Sequence, residues 1–278
     1  MMKKFLFGLA LLATCSTVDA QQLQTPQPSP TASVKQNFAL SSIDISYSRP
    51  GVKGRKVFGD LVPYGKVWRT GANNATTITF GEEVMIGDKK VAAGTYGLLT
   101  IPEQNEWTVI ISKQTDVTSP AAYKESEDVV RVKTKVQPLP FAIETFTIGV
   151  GNIKDNSCVV SFIWDNVYTE FKVTTDIDSK IMGQIKDVME KDNRPYFTAA
   201  MYYLNNGKDL NKALSWFDKA VEQSPNAFWI HHQRANCLAK LGKKAEARAA
   251  AEKSKALAAE AKNGDYVTLN EKLLAELK

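Results

Sequence analysis

The sequence predicts an all-β antiparallel domain, a sandwich or a barrel, followed by an all-α domain of helical hairpins. Three observations lead there. From residue 35 to residue 176, short runs of alternating apolar and polar residues follow one another, divided by turn residues and with no helical stretch between them. At residues 176–179 the apolar period lengthens to that of a helix. Beyond residue 194 the chain aligns with itself after a shift of 34 residues.

Residues 1–20 read as a secretory signal. Lys3 and Lys4 form the positive start, Phe5 to Ala13 the apolar core, and Val18-Asp19-Ala20 a small-x-small cleavage site. The expected location is periplasmic or secreted. Lipid attachment at Cys15 is the rival reading, because Leu12-Ala13-Thr14-Cys15 half matches a lipobox, although Thr14 is a poor residue beside the scissile bond. No later apolar run approaches the roughly 20 residues of a membrane helix, so no transmembrane segment is expected. Residues 21–34, rich in Gln, Pro, Ser and Thr, read as a flexible tether.

Ile43, Ile45 and Tyr47 alternate with polar residues, as Ile78 and Phe80 do with Thr77 and Thr79. Val84 to Ile86, a Gly87-Asp88 turn, Lys90-Val91, a Gly94 turn and Tyr96 to Ile101 continue as short strands and hairpins. Trp107 to Ser112 pairs back across the polar turn at Glu103 to Glu106. Val129 to Val136, Ala142 to Val150, Cys158 to Trp164 and Val167 to Thr174 are further strands. So many strands without intervening helices favour an antiparallel sandwich or barrel over residues 35–176.

Residues 177–193 read as a linker helix, with Ile181, Met182, Ile185, Val188 and Met189 at helical spacing and Asp178 or Ser179 as its N-cap. In the tail, the 34-residue shift sets Met201 on Ala235, Leu204 on Leu238, Ala213 on Ala247 and Phe217 on Ala251. That period, with Ala213, Phe217 and Pro225 at their offsets, resembles the tetratricopeptide repeat. The resemblance implies repeats at 194–227 and 228–261 and a capping helix to 278, within a helical domain of residues 194–278. Ala213, Phe217, Ala220 and Ala247 should form the seams between helices. The first helices of the pairs should line a concave face, placing Tyr202, Asn205, His232, Gln233 and Asn236 toward a protein or peptide partner.

The chain carries a formal net charge of +5, and the excess is local. Residues 35–80 hold seven cations and two acids. Export, with no aromatic RNP pattern and no Cys/His spacing, argues against a nucleic-acid partner. Past the leader only Cys158 and Cys237 remain, so apolar cores rather than disulfides must hold the fold, and the two thiols fall in different domains.

The most specific stretch is RPGVKGRKVFGDLVPYGKVWRTGANNATTITF, Arg49 to Phe80. Arg49, Lys53, Arg55, Lys56, Lys66 and Arg69 face a single acid, Asp60, and glycines break the run repeatedly, a composition suited to anion capture on a turn-rich surface. Together with AGTYGLLTIP and EWTVIIS further on, the stretch is similar to an exported bacterial family known as domain of unknown function 2911, over most of residues 35–176. The resemblance implies an exported β domain and no established activity.

The only histidines, His231 and His232, are adjacent in a repeat helix and about 100° apart around its axis, which does not suit a shared metal. The β domain has no histidine, which removes Ser-His-Asp and Cys-His catalysis and His-rich zinc sites from it. No metal or cofactor is expected. GVKGRK has neither the spacing nor the following helix of a phosphate loop. Asp44, Asp60, Glu82, Glu83 and Glu144 supply carboxylates whose scatter suits a solvated surface, and no catalytic residue is assigned.

The candidate ligand site is Arg49, Arg55, Tyr64, Trp68, Arg69, Asn73 and Asn74. Arginine forks, amides and an aromatic wall can orient an acidic or sugar-like small ligand. The same residues also suit a structural corner, since Asn and Gly make turns, Trp fills cores and Arg ties loops to carbonyls. Three functions follow: a non-enzymatic envelope protein that binds a ligand or partner, with a helical interaction tail; a hydrolase or lyase using Arg, Tyr and carboxylate groups of the β domain; or a purely structural envelope protein.

Overall fold

The computed structural model describes residues 25–189 and 194–278. The leader with Lys3, Lys4 and Cys15, the start of the tether, and residues 190–193 at the end of the linker helix lie outside the described residues. The chain divides after Thr175 into two compact units.

The first unit is an antiparallel β-sandwich. One sheet runs in the order β1 (Thr31–Phe38), β2 (Ser41–Ser48), β3 (Thr77–Phe80), β6 (Gly94–Ile101), β7 (Glu106–Ser112), β8 (Asp128–Lys135). The other runs β5 (Lys89–Val91), β4 (Val84–Ile86), β10 (Ser157–Thr174), β9 (Gln137–Gly151). Period-two alternation fills the core: Ile43 and Ile45 of β2, Phe146 and Ile148 of β9 and Phe162 of β10 share one buried cluster. Tyr47 ties the two sheets directly, its hydroxyl accepting from the Ile148 N–H at 2.9 Å and donating to the Ile148 carbonyl at 3.2 Å.

Two strands depart from the sequence reading. β1 begins at Thr31, inside the stretch read as tether; its outward residues Thr31, Ser33, Lys35 and Asn37 are exposed and polar, so composition hid a strand that β2 pairs along its whole length. The runs expected at 158–164 and 167–174 are one 18-residue strand, β10, whose register against β9 shifts on either side of Asp165.

Along β6 and β7, Leu98, Val109 and Ile111 point into the main core, whereas Leu99 and Ile110 point outward. Val117, from the connection between β7 and β8, covers that outer pair, with Val67, Ile101 and Tyr123 packed alongside. The connection lies so close that a Cβ on Gly97 of β6 would stand 2.0 Å from the Gln114 carbonyl oxygen. The connection's far end is held by Asp128, whose carboxylate accepts from the Tyr123 hydroxyl and from Arg131 at 3.1 Å.

The second unit is helical: α1 (Asp178–Met189), α2 (Tyr196–Asn205), α3 (Leu210–Gln223), α4 (Phe228–Lys240), α5 (Lys244–Glu260) and α6 (Gly264–Glu276). Asp209 caps α3, accepting from the N–H groups of Asn211 and Lys212. Ala213, Phe217, Ala220 and Ala247 are buried, as seams between close-packed helices require. α6 completes the stack: Tyr266 meets the Phe228 ring edge-on at 4.9 Å, and Asn270 is fully buried against α4 and α5. None of the described helices is long and apolar enough to cross a membrane.

Candidate functional site

The long motif becomes the connection from β2 to β3 and closes one end of the sandwich. At its start Gly51 bridges Thr145 of β9, with Val52 N–H donating to Glu144 O at 2.8 Å. At its end Trp68 bridges Thr100 of β6 through paired backbone bonds of 2.7 and 3.0 Å. One connection thus spans both sheets. Between the anchors, Val57, Phe58 and Val62 plug the core. Trp68 enters an aromatic cluster, stacked on Trp164 at 5.9 Å and 18°, with Phe146 at 5.1 Å and Phe58 and Trp107 edge-on at 6.3 and 6.1 Å. Its indole N–H donates to Gly71 O at 2.9 Å.

Above this cluster lies an open cleft of about 340 Å³, walled by residues 50–72 of the motif and by Thr118, Ser119 and Pro120 of the connection between β7 and β8. Most of its lining is apolar. Among the described residues three cations, Arg55, Lys66 and Arg69, line it, and no carboxylate does. Arg69 crosses from one wall to the other, donating through Nη1 to Thr118 O. Its Nε is buried with no partner, whereas its Nη2 is neither buried nor bonded among the described residues. Lys66 is exposed and has no partner among the described residues. Beside Arg69, buried Thr70 holds φ 56°, in a region unfavourable for a β-branched residue. It is fixed by Thr100, whose hydroxyl is 3.1 Å from its own, and by Thr76, which donates to its carbonyl.

Of the seven residues read as a ligand site, the cleft brings together Arg55, Trp68 and Arg69. Arg55 also holds its own turn, donating to Val52 O and Gly51 O. Arg49 stands apart and staples the connection to β9, donating to Phe146 O at 3.0 Å and Thr147 Oγ1 at 2.8 Å. Tyr64 packs over Gly59, where a Cβ would meet its ring at 2.8 Å. Asn73 donates to Ser29 O at 3.1 Å, and Asn74 is exposed outside the cleft. Lys66 was already legible as part of the cationic run. The wall from Thr118 to Pro120 and the Trp164 floor had no sequence signal, because they reach the motif only through the fold.

The carboxylates are scattered. Glu144 accepts from the Lys53 N–H, Asp44 pairs with Lys35 and Glu83 with Lys90. Among the described residues no cluster of three or more His, Cys, Asp or Glu can hold a metal ion. Cys158 and Cys237 are buried free thiols, and burial pushes the Cys158 thiol up to about 11.

On the helical unit, the five residues read as a partner face divide. Asn205 is exposed and Tyr202, Gln233 and Asn236 are half-buried. His232 is buried and does not belong to an open face: its Nδ1 is 2.8 Å from Asn270 Oδ1, and Asn270 in turn donates to Ser254 Oγ at 2.9 Å. The capping helix, which covers the end of the repeat stack, takes this histidine as an internal hydrogen-bond partner. His231 is also buried, its Nε2 2.8 Å from Pro225 O.

No curated protein and no solved structure matches the chain. A tetratricopeptide-repeat model matches residues 216–249, from within α3 to within α5, and points to protein partners. The family model described as Protein of unknown function (DUF2911) matches residues 29–173, which take in every strand of the sandwich except the last residue of β10. The chain therefore belongs to the DUF2911 family, and carries a tetratricopeptide repeat in its helical C-terminal unit.

Proposed function

We propose that this is an exported protein whose β-sandwich holds a small anionic ligand in the cleft at its closed end, without transforming it, while the helical unit docks a protein partner. The observation that carries this reading is the lining of the cleft: Arg55, Lys66 and Arg69 converge on it and, among the described residues, no carboxylate does. A guanidinium whose Nε is buried and unpaired is costly on its own, and an anion nearby offsets that cost. The leader supports export, with mature material starting near Gln21. Asn205 is the exposed residue of the helical face, and Tyr202, Gln233 and Asn236 are half-buried.

The test compares anions with neutral molecules of the same shape: octanoate with octanol, benzoate with benzyl alcohol, and glucuronate with glucose, titrated calorimetrically into the full-chain protein. At least one anion should bind at least tenfold tighter than its neutral counterpart. Equal binding within every pair, or no binding at all, rejects the cleft as an anion site.

A further inference from the structure

We infer that the anion taken by the cleft is an apolar carboxylate, an alkyl or aryl chain ending in a single carboxyl group, rather than a sugar acid or phosphate. This rests on the reading of the cleft as an anion site and narrows its ligand class. Of the aromatic side chains that could stack a sugar, Trp68 is a half-buried part of the cleft floor with Trp164, and Tyr64 lies outside the cleft. Trp68 packs against Trp164, Phe146, Phe58 and Trp107 and gives its indole N–H to Gly71 O. Tyr64 packs on Gly59 outside the cleft. Asn73, whose amide could read paired hydroxyls, donates to Ser29 O and does not line the cleft.

Around that floor the walls are mostly hydrocarbon, Pro50, Leu61, Val62, Pro63 and Pro120, with Ser29, Thr118 and Ser119 among them. Such a wall gains from burying methylene groups and offers few partners to the many hydroxyls of a sugar. The polar ends are equally limited, since Arg55 gives its Nε and Nη2 to Val52 O and Gly51 O. Among the described residues Lys66 has no partner, and Arg69 has Nη2 unbonded while Nη1 is held by Thr118 O. One ammonium and one partly engaged guanidinium match the two oxygens of a carboxylate, each accepting a charge-assisted hydrogen bond. The ligand then lies with its head between Lys66 and Arg69 and its chain along the proline and leucine wall.

The class is tested with the full-chain protein and the series butanoate, hexanoate and octanoate, with glucuronate, inorganic phosphate, octanol and the peptide Ala-Ala-Leu as comparison probes. Affinity should rise about fourfold per added methylene along the series. Octanoate should bind at least tenfold tighter than octanol, glucuronate or phosphate. Lys66→Gln and Arg69→Gln should each weaken octanoate at least tenfold while leaving octanol unchanged. Should Arg69→Gln fail to fold, Lys66→Gln, at an exposed and unpartnered position, carries the comparison.

An affinity independent of chain length, or glucuronate or phosphate binding tighter than octanoate, overturns the apolar-carboxylate class while leaving an anion site in place. Tighter binding of Ala-Ala-Leu, lost when its C-terminus is amidated, replaces the class with a peptide terminus. If no anion exceeds octanol, the anion site itself fails with the class.

Discussion

Trp68 lies stacked on Trp164, with ring centroids 5.9 Å apart and planes at 18°, so an indole from the β2–β3 connection and one from β10 form a single floor beneath the cleft. Trp164 is almost completely buried and donates to Glu144 O at 3.2 Å. This pairing makes the end of the sandwich and the cleft one packing unit. Trp68→Ala should cost about 3 kcal/mol in chemical denaturation followed by circular dichroism, and Trp68→Phe less than half of that. A cost within experimental error for Trp68→Ala would show that the cluster does not hold the connection in place.

Gly97 controls the opposite wall. Its missing Cβ admits the Gln114 carbonyl, and the chain that follows supplies Val117 to the outer cluster and Thr118 to the cleft. Gly97→Ala therefore places a methyl group against backbone that must move. The expected result is a loss of about 1–3 kcal/mol, as in overpacked sites, together with weaker ligand binding. Hydrogen exchange in residues 113–127 should quicken in the variant while β9 stays protected.

The same connection gives a pH dependence. Burial lifts the Asp128 carboxyl above the usual carboxylate range, opposed by the hydrogen bond from Tyr123 and by the charge and hydrogen bond of Arg131, while Glu125 adds to the rise. The folded state then holds this proton more tightly than the unfolded state does. Its contribution to stability falls as pH rises from the ordinary carboxylate range through the raised value, and levels off above it. Asp128→Asn should lack that component, so the difference in stability between variant and wild type should change across the window. Parallel pH profiles would contradict the assignment.

In the helical unit, Ala213 is completely buried at a seam of the stack. Ala213→Leu should overpack it and destabilise the unit by about 1–3 kcal/mol in thermal or urea unfolding. Asn205→Leu, at an exposed position on α2, should change stability by less than about 0.5 kcal/mol.

The division of the chain was readable because period is local: Ile43, Ile45 and Tyr47 alternate as a half-buried strand must, and Ala213 and Ala247 recur at the repeat length. β1 was not readable, because Thr31, Ser33 and Lys35 face solvent and the strand exists through its pairing with β2 rather than its own apolarity. The cationic run lies on the connection that walls the cleft. It did not separate Arg49, which ties that connection to β9, from Arg69, which reaches the cleft, since both are arginines between turn residues and differ only in what the fold sets opposite them. His232 was misplaced for a similar reason. Helical spacing put it on the first helix of a pair, and only the docking of α6 covers it.

That distinction between two arginines gives the most direct measurement. Octanoate and glucuronate are titrated by calorimetry into wild type, Arg69→Gln, Lys66→Gln and Arg49→Gln, with thermal unfolding recorded for each. The cleft requires that whichever anion binds wild type be weakened at least tenfold by Arg69→Gln and Lys66→Gln. Arg49→Gln should lower stability by about 1–2 kcal/mol and leave affinity within twofold. Undiminished binding in Arg69→Gln, or an equal loss of affinity in a folded Arg49→Gln, would contradict the cleft as the binding site.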